Sequence, residues 1–282
     1  MMDAGKREAV EGNGSKVTGM KIQIETLKLK YAEIDIENAP LYLLNAIRRI
    51  MLSELPKLAI NDVVIYDNTT ALFDEIIAHR LGLVPIPTDL TLLNFRDQCS
   101  CNGVGCPSCT VRYTLSKEGS GTVHSGDLQP AEASWTITED KIPIVDLFGD
   151  QRIILEVEAV LGRGKNHAKW QPVISPGYRL HPTISFKSEH KAEVEEFISD
   201  LPNGLVTLKG NELVLSDIKQ LPVLESYIDR QDMDLISIHK DPSHIHFHFE
   251  TDGALYAKDA MIHAIKIFEE KLSELTEHIE KL

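Results

Sequence analysis

All four cysteines of this 282-residue chain fall within one eleven-residue run, Cys99-Ser-Cys101-Asn-Gly-Val-Gly-Cys106-Pro-Ser-Cys109. The C-x-C-x4-C-x2-C spacing supplies two short-range pairs of thiolates that can approach one ion from opposite sides. Gly103 and Gly105 allow the backbone to reverse between them. Structural zinc is the first reading of such a ligand set. An iron–sulfur cluster or a pair of disulfides are the alternatives, because sulfur-only sites identify their metal poorly. The motif holds no histidine or carboxylate that would mark an open catalytic position, so the predicted site is closed.

Other groups that could do chemistry carry less. Gly162-Arg-Gly-Lys165 superficially suggests phosphate binding, but a P-loop needs Ser or Thr after the lysine, and Asn166 stands there. A basic, Trp-containing loop that touches a neighbouring protein is the better reading of residues 162–172. His244, His246 and His248 alternate, which puts three imidazoles on one strand face. Surface histidines or the polar rim of an interface fit that stripe better than a metal site. Asp74, Glu75 and His79 share a short predicted helix, where Glu75 and His79 stand one turn apart. No nucleophile, cofactor loop or carboxylate set accompanies them, so no active site is predicted.

The elements that must position these groups follow from pattern and composition. The net charge of −14 argues against a broad nucleic-acid-binding surface. No apolar run approaches the roughly 20 residues that span a bilayer, and a cytosolic setting favours metal over disulfides for clustered cysteines. Residues 1–19 read as a disordered leader. Alternation from Lys21 to Ile36 predicts paired strands. A helix follows from Asn38 and Pro40 through Leu41–Met51, and Pro56 ends it. Leu58–Tyr66 reads as a strand and Leu72–Leu81 as a helix stopped at Gly82. Strands are further predicted at Thr110–Leu115, Ile142–Asp146, Ile153–Leu161 and Ile184–Phe186, with a final strand pair at Ile236–Ile238 and Ile245–Phe249. A Glu-rich helix is expected near Glu189–Ile198. At the C-terminus Met261, Ile265, Phe268, Leu272, Leu275, Ile279 and Leu282 repeat at spacings of 4, 3, 4, 3, 4, 3. This heptad seam fits a partner helix better than internal packing alone.

Two stretches, Asn45-Ala-Ile-Arg-Arg-Ile-Met-Leu-Ser-Glu-Leu-Pro56 and Asp74-Glu-Ile-Ile-Ala-His-Arg-Leu-Gly-Leu-Val-Pro85, closely resemble the D-subunit family of archaeal DNA-directed RNA polymerase. That family is similar to the third-largest subunit of eukaryotic RNA polymerase II and, more distantly, to the bacterial alpha subunit's N-terminal region. Gly162–Pro172 and Asp252-Gly-Ala-Leu255 before the last helix extend the resemblance over about 20–282. It implies an α+β fold with a split dimerisation domain of strands and long helices (20–57, 176–188 and 232–282). A mainly β insert domain would occupy 58–175 and a small ferredoxin-like α/β insertion 189–231. It also implies zinc at Cys99, Cys101, Cys106 and Cys109. Some relatives carry an iron–sulfur cluster in the third domain, but 189–231 has no cysteine here, so none is expected.

The implied function is assembly, without catalysis in this chain, inside a cytoplasmic nucleotidyltransferase used for transcription. An L-like subunit would form a heterodimer with this chain. The pair would then organise small N-like and P-like subunits and the large catalytic subunits, with little or no direct nucleic-acid contact. Leu44, Ile47, Ile50 and Met51, with the seam from Ile265 to Leu282, would meet the L-like partner. Arg48, Arg49, His79, Arg80, Lys165, His167, Lys169 and Trp170 would meet other subunits. A stand-alone metal-dependent enzyme and a homodimeric regulator are the competing readings.

Overall fold

The computed structural model describes residues 19–231 and 233–281, so most of the expected leader and Leu282 lie outside the described residues. The elements run β1 (Lys21–Leu27), β2 (Tyr31–Glu37), α1 (Leu41–Ser53), β3 (Pro56–Asn68) and α2 (Asp74–Gly82). Then come β4 (Thr110–Glu118), β5 (Gly121–His124), β6 (Gln129–Pro130), β7 (Pro143–Leu147), β8 (Arg152–Arg163) and β9 (Val173–Phe186). The chain ends with α3 (Lys191–Ser199), β10 (Val206–Lys209), β11 (Glu212–Leu215), α4 (Leu221–Arg230), β12 (Ile236–Thr251) and α5 (Ala257–Glu280). The result is a mixed α/β protein with large antiparallel sheets.

Three hydrophobic cores organise it. The first lies between the β3-β8-β4-β6 sheet, the β5-β7 ribbon and α2. Alternation along β8 explains its contribution: Ile153, Leu155, Val157 and Ala159 point inward, while Arg152, Ile154 and Glu156 face out. The second core is one face of the sheet β1-β2-β12-β9-β11-β10 covered by α1 and α5. Helix α1 supplies Leu44, Ile47, Ile50 and Met51 at helical spacing. Helix α5 approaches closely because its inward residues near the start are Ala257, Ala260 and Ala264. The third core gathers Phe186, Val194, Phe197, Leu213 and Leu224 around the far end of the same sheet.

Two sequence expectations change. The predicted strand pair at 236–249 is one sixteen-residue strand, β12, with a bulge between Asp241 and Ile245. Pro242 and Ser243, between the two predicted strands, are taken up by the bulge, and pairing with β9 resumes at Ile245–Leu180. Strand β9 is likewise fourteen residues long, where only Ile184–Phe186 had strand character. It contains Pro176 and Pro182, which demote a strand when read in isolation. Beyond Ser185 and Ile184, which pair with β11, its second edge is open, so a missing N–H there breaks no ladder.

Candidate metal centre and contact surfaces

The cysteine run is a loop between the turn at Arg96–Gln98 and the start of β4. Asn102, Gly103 and Gly105 all adopt positive φ, at 53°, 81° and 98°, so the chain folds back twice within a few residues. At Gly105 a side chain would also meet Arg96 Nη2 at 3.1 Å and Thr110 Oγ1 at 3.3 Å, which makes glycine the residue that fits. The reversal brings the four sulfurs together. Cys99 and Cys106 Sγ are 3.5 Å apart, Cys101 and Cys109 3.6 Å, and Cys106 and Cys109 3.9 Å. All four lie within 4.8 Å of one another.

A tetrahedral ion with metal–sulfur bonds near 2.3 Å sets its ligands about 3.8 Å apart, so the cluster can hold a metal ion. Backbone amides support thiolate charge: the Cys106 N–H donates to Cys109 Sγ at 3.4 Å. The Gly105 amide is the main cause that lowers the Cys101 thiol to about 6. Arg96 fastens the loop to the sheet. Its Nε donates to the Gly103 carbonyl at 3.0 Å, its Nη2 to the Val104 carbonyl at 3.3 Å, and its Nη1 reaches Glu158 of β8 at 3.3 Å. The sequence reading missed Arg96, and an arginine three residues before the first cysteine was the available signal.

Residues 59–176, which enclose this loop, match the RNA polymerase Rpb3/RpoA insert domain. A Picrophilus torridus protein named DNA-directed RNA polymerase subunit Rpo3 is 35% identical over 271 residues, covering 92% of this chain and 99% of the relative. Proteins of the same name from Thermoplasma volcanium (35% identical, 92% and 99% covered) and Archaeoglobus fulgidus (33% identical, 93% and 100%) are similar over the same extent. The chain belongs to the Rpo3 family of DNA-directed RNA polymerase subunits.

The residues expected to touch other subunits are distributed unevenly in this Rpo3-family chain. Leu44, Ile47, Ile50 and Met51 lie inside the chain's own second core, at 0–8% exposure, and leave little surface of their own. Arg49 beside them is exposed, and Arg48 is half-buried, with Nη2 donating to Asn45 Oδ1 at 2.9 Å. The seam of α5 divides at Phe268. That side chain packs on the second core, whereas Leu272, Leu275 and Ile279 are 47–59% exposed and Ile265 is partly exposed.

The exposed His79 and His167 and the half-buried Lys169 line one cleft with Gly82 and Leu83. Arg80 Nη1 donates to the Ile144 carbonyl at 2.7 Å, tying α2 to β7. Glu75 is not joined to His79 by any hydrogen bond among the described residues; it is Asp74 that is held, by Asn68 at 2.7 Å. No helix among the described residues is long and apolar enough to cross a membrane.

The loop after β8 is bound to its own chain first. Trp170 Nε1 donates to the Val160 carbonyl at 3.0 Å, and its ring lies so close over Gly162 that any side chain there would meet it at 2.3 Å. Lys165 pairs with Glu54 at 3.1 Å, and its amide donates to the Ser53 carbonyl at the end of α1. A Cβ on Gly164 would stand 2.0 Å from the Leu52 carbonyl oxygen. Backbone cannot yield there as a flexible side chain would. Gly164→Ala is therefore expected to destabilise the chain by about 1–3 kcal/mol, measured by urea unfolding. A change within the ~0.5 kcal/mol typical of a free surface site would contradict this docking.

The histidine stripe is corrected by burial. His246 is 5% exposed and its Nδ1 lies 2.6 Å from Asp35 Oδ1, so it is a buried histidine with a carboxylate partner. Its partner on β2 stands 211 residues earlier, out of reach of any local pattern.

Proposed function

We propose that this chain is the non-catalytic assembly subunit of its polymerase, built around a heterodimer with an L-like subunit. The N-like, P-like and large catalytic subunits would then be recruited by the resulting pair in the cytoplasm. The observation that carries this reading is the half-used seam of α5. Its first turns pack on the chain's own sheet, and from Glu269 to Glu280 every residue is exposed. Leu272, Leu275 and Ile279 lie on that free stretch at heptad spacing, which fits a partner helix. Strand β1 adds a second free surface, an edge strand with Ile22 and Ile24 about 60% exposed.

In this reading the second core is the dimerisation domain, the first core the insert domain, and the third a ferredoxin-like unit without a cluster. Zinc is the ion assigned to Cys99, Cys101, Cys106 and Cys109: four thiolates at tetrahedral spacing suit it, and they leave no open position for a substrate. Its contribution when bound is a cross-link within the loop. Arg49, His79, Arg80, Lys165 and His167 are exposed polar residues offered to other subunits, with the half-buried Arg48, Lys169 and Trp170 positioned by their own-chain contacts beside them.

The double substitution Leu272→Glu and Leu275→Glu tests the seam. Each leucine withdrawn from an apolar interface removes about 1.5–3 kcal/mol. The pair should therefore weaken heterodimer formation by about 100-fold or more, measured by size-exclusion chromatography with light scattering on co-expressed chains. Thermal stability of the isolated chain should hardly change, because both positions already face solvent. Unchanged association would overturn the reading, and a homodimer formed in preference to the heterodimer would replace it with the regulator alternative.

A further inference from the structure

On the face of the six-stranded sheet opposite α1 and α5, three strands bring ligand-type side chains to one point. Asp35 of β2 stands directly across from His246 of β12. His181 of β9 sits where the β12 bulge interrupts pairing, and the bulge returns His244 against it as a ring stack, 3.5 Å between centroids and 13° from parallel. His181 Nε2 lies 3.4 Å from the same Asp35 oxygen that receives His246 Nδ1. One ligand atom from each of Asp35, His181 and His246 falls within 4.8 Å of the other two.

Two nitrogens here have no hydrogen-bond partner among the described residues, although both are shielded from solvent: His181 Nε2 and His246 Nε2. Buried polar atoms are ordinarily paired, so the orphaned His181 Nε2 beside a carboxylate leaves room for a shared cation. The 3.4 Å separation of His181 Nε2 and Asp35 Oδ1 matches the edge of about 3.3 Å of a tetrahedral site with bonds of about 2.0–2.1 Å to nitrogen and oxygen. The His246 contact is shorter, a hydrogen bond that must open by roughly 0.7 Å to reach that edge.

We propose that Asp35, His181 and His246 form a second metal site, for a divalent first-row transition ion of the zinc class. Two imidazoles and one carboxylate select such an ion over calcium or magnesium, which prefer all-oxygen cages. The site would bind through His181 Nε2, His246 Nδ1 and Asp35, with a fourth position for water. Coordination through Nδ1 leaves the hydrogen of His246 on Nε2. The ring of His248, whose Nδ1 is also buried and without a partner among the described residues, lies 6.1 Å away between centroids, close enough for one water to link donor and acceptor. A side chain on Gly177 would stand 2.9 Å from the His248 ring, so the glycine keeps that neighbour in place.

This site differs from the cysteine loop in ligand chemistry, and Co2+ reports the two separately. Titration of the full chain with Co2+ should raise metal content by one equivalent beyond that held by the thiolates. The added equivalent should give visible d–d bands without thiolate-to-metal charge transfer. His181→Ala and Asp35→Asn should each weaken that equivalent at least tenfold and leave the thiolate band unchanged. Both positions are only half-buried, and circular dichroism melts would confirm that the variants fold. A wild-type chain that takes no equivalent beyond the thiolate site would overturn the proposal. So would an added equivalent that both folded variants bind as tightly as wild type.

Discussion

Replacing Asp252 by alanine is expected to cost the folded chain about 3–5 kcal/mol, the penalty for leaving a buried charge without its counter-ion. Its partner is Lys57, whose side chain is 4% exposed and whose ammonium pairs with the Asp252 carboxylate. Lys57 sits at the start of β3, where the chain leaves α1 for the first core. Asp252 follows the end of β12, where the second core closes, and accepts from the Ala254 amide at 3.0 Å. One ion pair therefore links residues 195 positions apart at the junction of two cores.

Lys57→Ala should remove the same pair from the other side at a smaller cost, because an unpaired Asp252 is nearer solvent, at 13% exposure. The double replacement Lys57→Met with Asp252→Leu should recover most of the loss, since neither buried charge remains to be solvated. Differential scanning calorimetry reads the difference: at about 2–4 °C per kcal/mol for a chain of this size, Asp252→Ala should lower the melting temperature by about 6–20 °C. A drop below about 2 °C would show that Lys57 finds water or another partner.

Cys109→Ser is expected to abolish stoichiometric metal in the cysteine loop. Cys109 is fully buried, receives the Cys106 amide on its sulfur, and touches two of the other three thiols. A serine oxygen is too short and too hard to replace it in a tetrathiolate site. Apparent binding free energies of about 10–16 kcal/mol for structural zinc in small peptides set the ceiling of the effect. Here the first core is built largely without the loop, so the loss should be local. Hydrogen exchange should rise steeply over residues 96–110 while β3 and β8 remain protected. Elemental analysis and exchange mass spectrometry together check it. Full metal content in the variant, or unchanged protection of the loop, would show that the clip does not depend on this thiol.

Features that depend on near neighbours in the chain were legible before folding. The cysteine spacing, the α1 apolar periodicity and the α5 seam each carry their geometry in residues a few positions apart, because helices and tight loops translate spacing directly into direction. The misreadings share a cause of another kind. Pro242-Ser243 in β12 and the prolines of β9 mark a break only if no neighbouring strand compensates, and the compensation comes from far along the chain.

The same holds for single residues. Trp170 reads as an exposed aromatic of a basic loop, yet Gly162, eight positions earlier, gives its ring a place to lie. Lys57 and Asp252, or Asp35 and His246, can be recognised as pairs only after the sheets have formed. Burial is a property of the tertiary fold, and a charged or imidazole side chain gives no local sign of it.

Strands β9 and β12 pass from the second core into the third without interruption, paired from Thr251–Val173 to Ile236–Phe186 except at their bulges. The third unit is thus no pendant on a tether but the far end of a two-rail beam. Its rails are mismatched between Asp241 and Ile245, where three extra residues of β12 stand opposite adjacent residues of β9, and a bulged strand bends at such a point. Bending there would change the angle at which α3 and α4 are carried relative to α5, while each core stays intact. A load on one end of this protein would reach the other as a change of pitch.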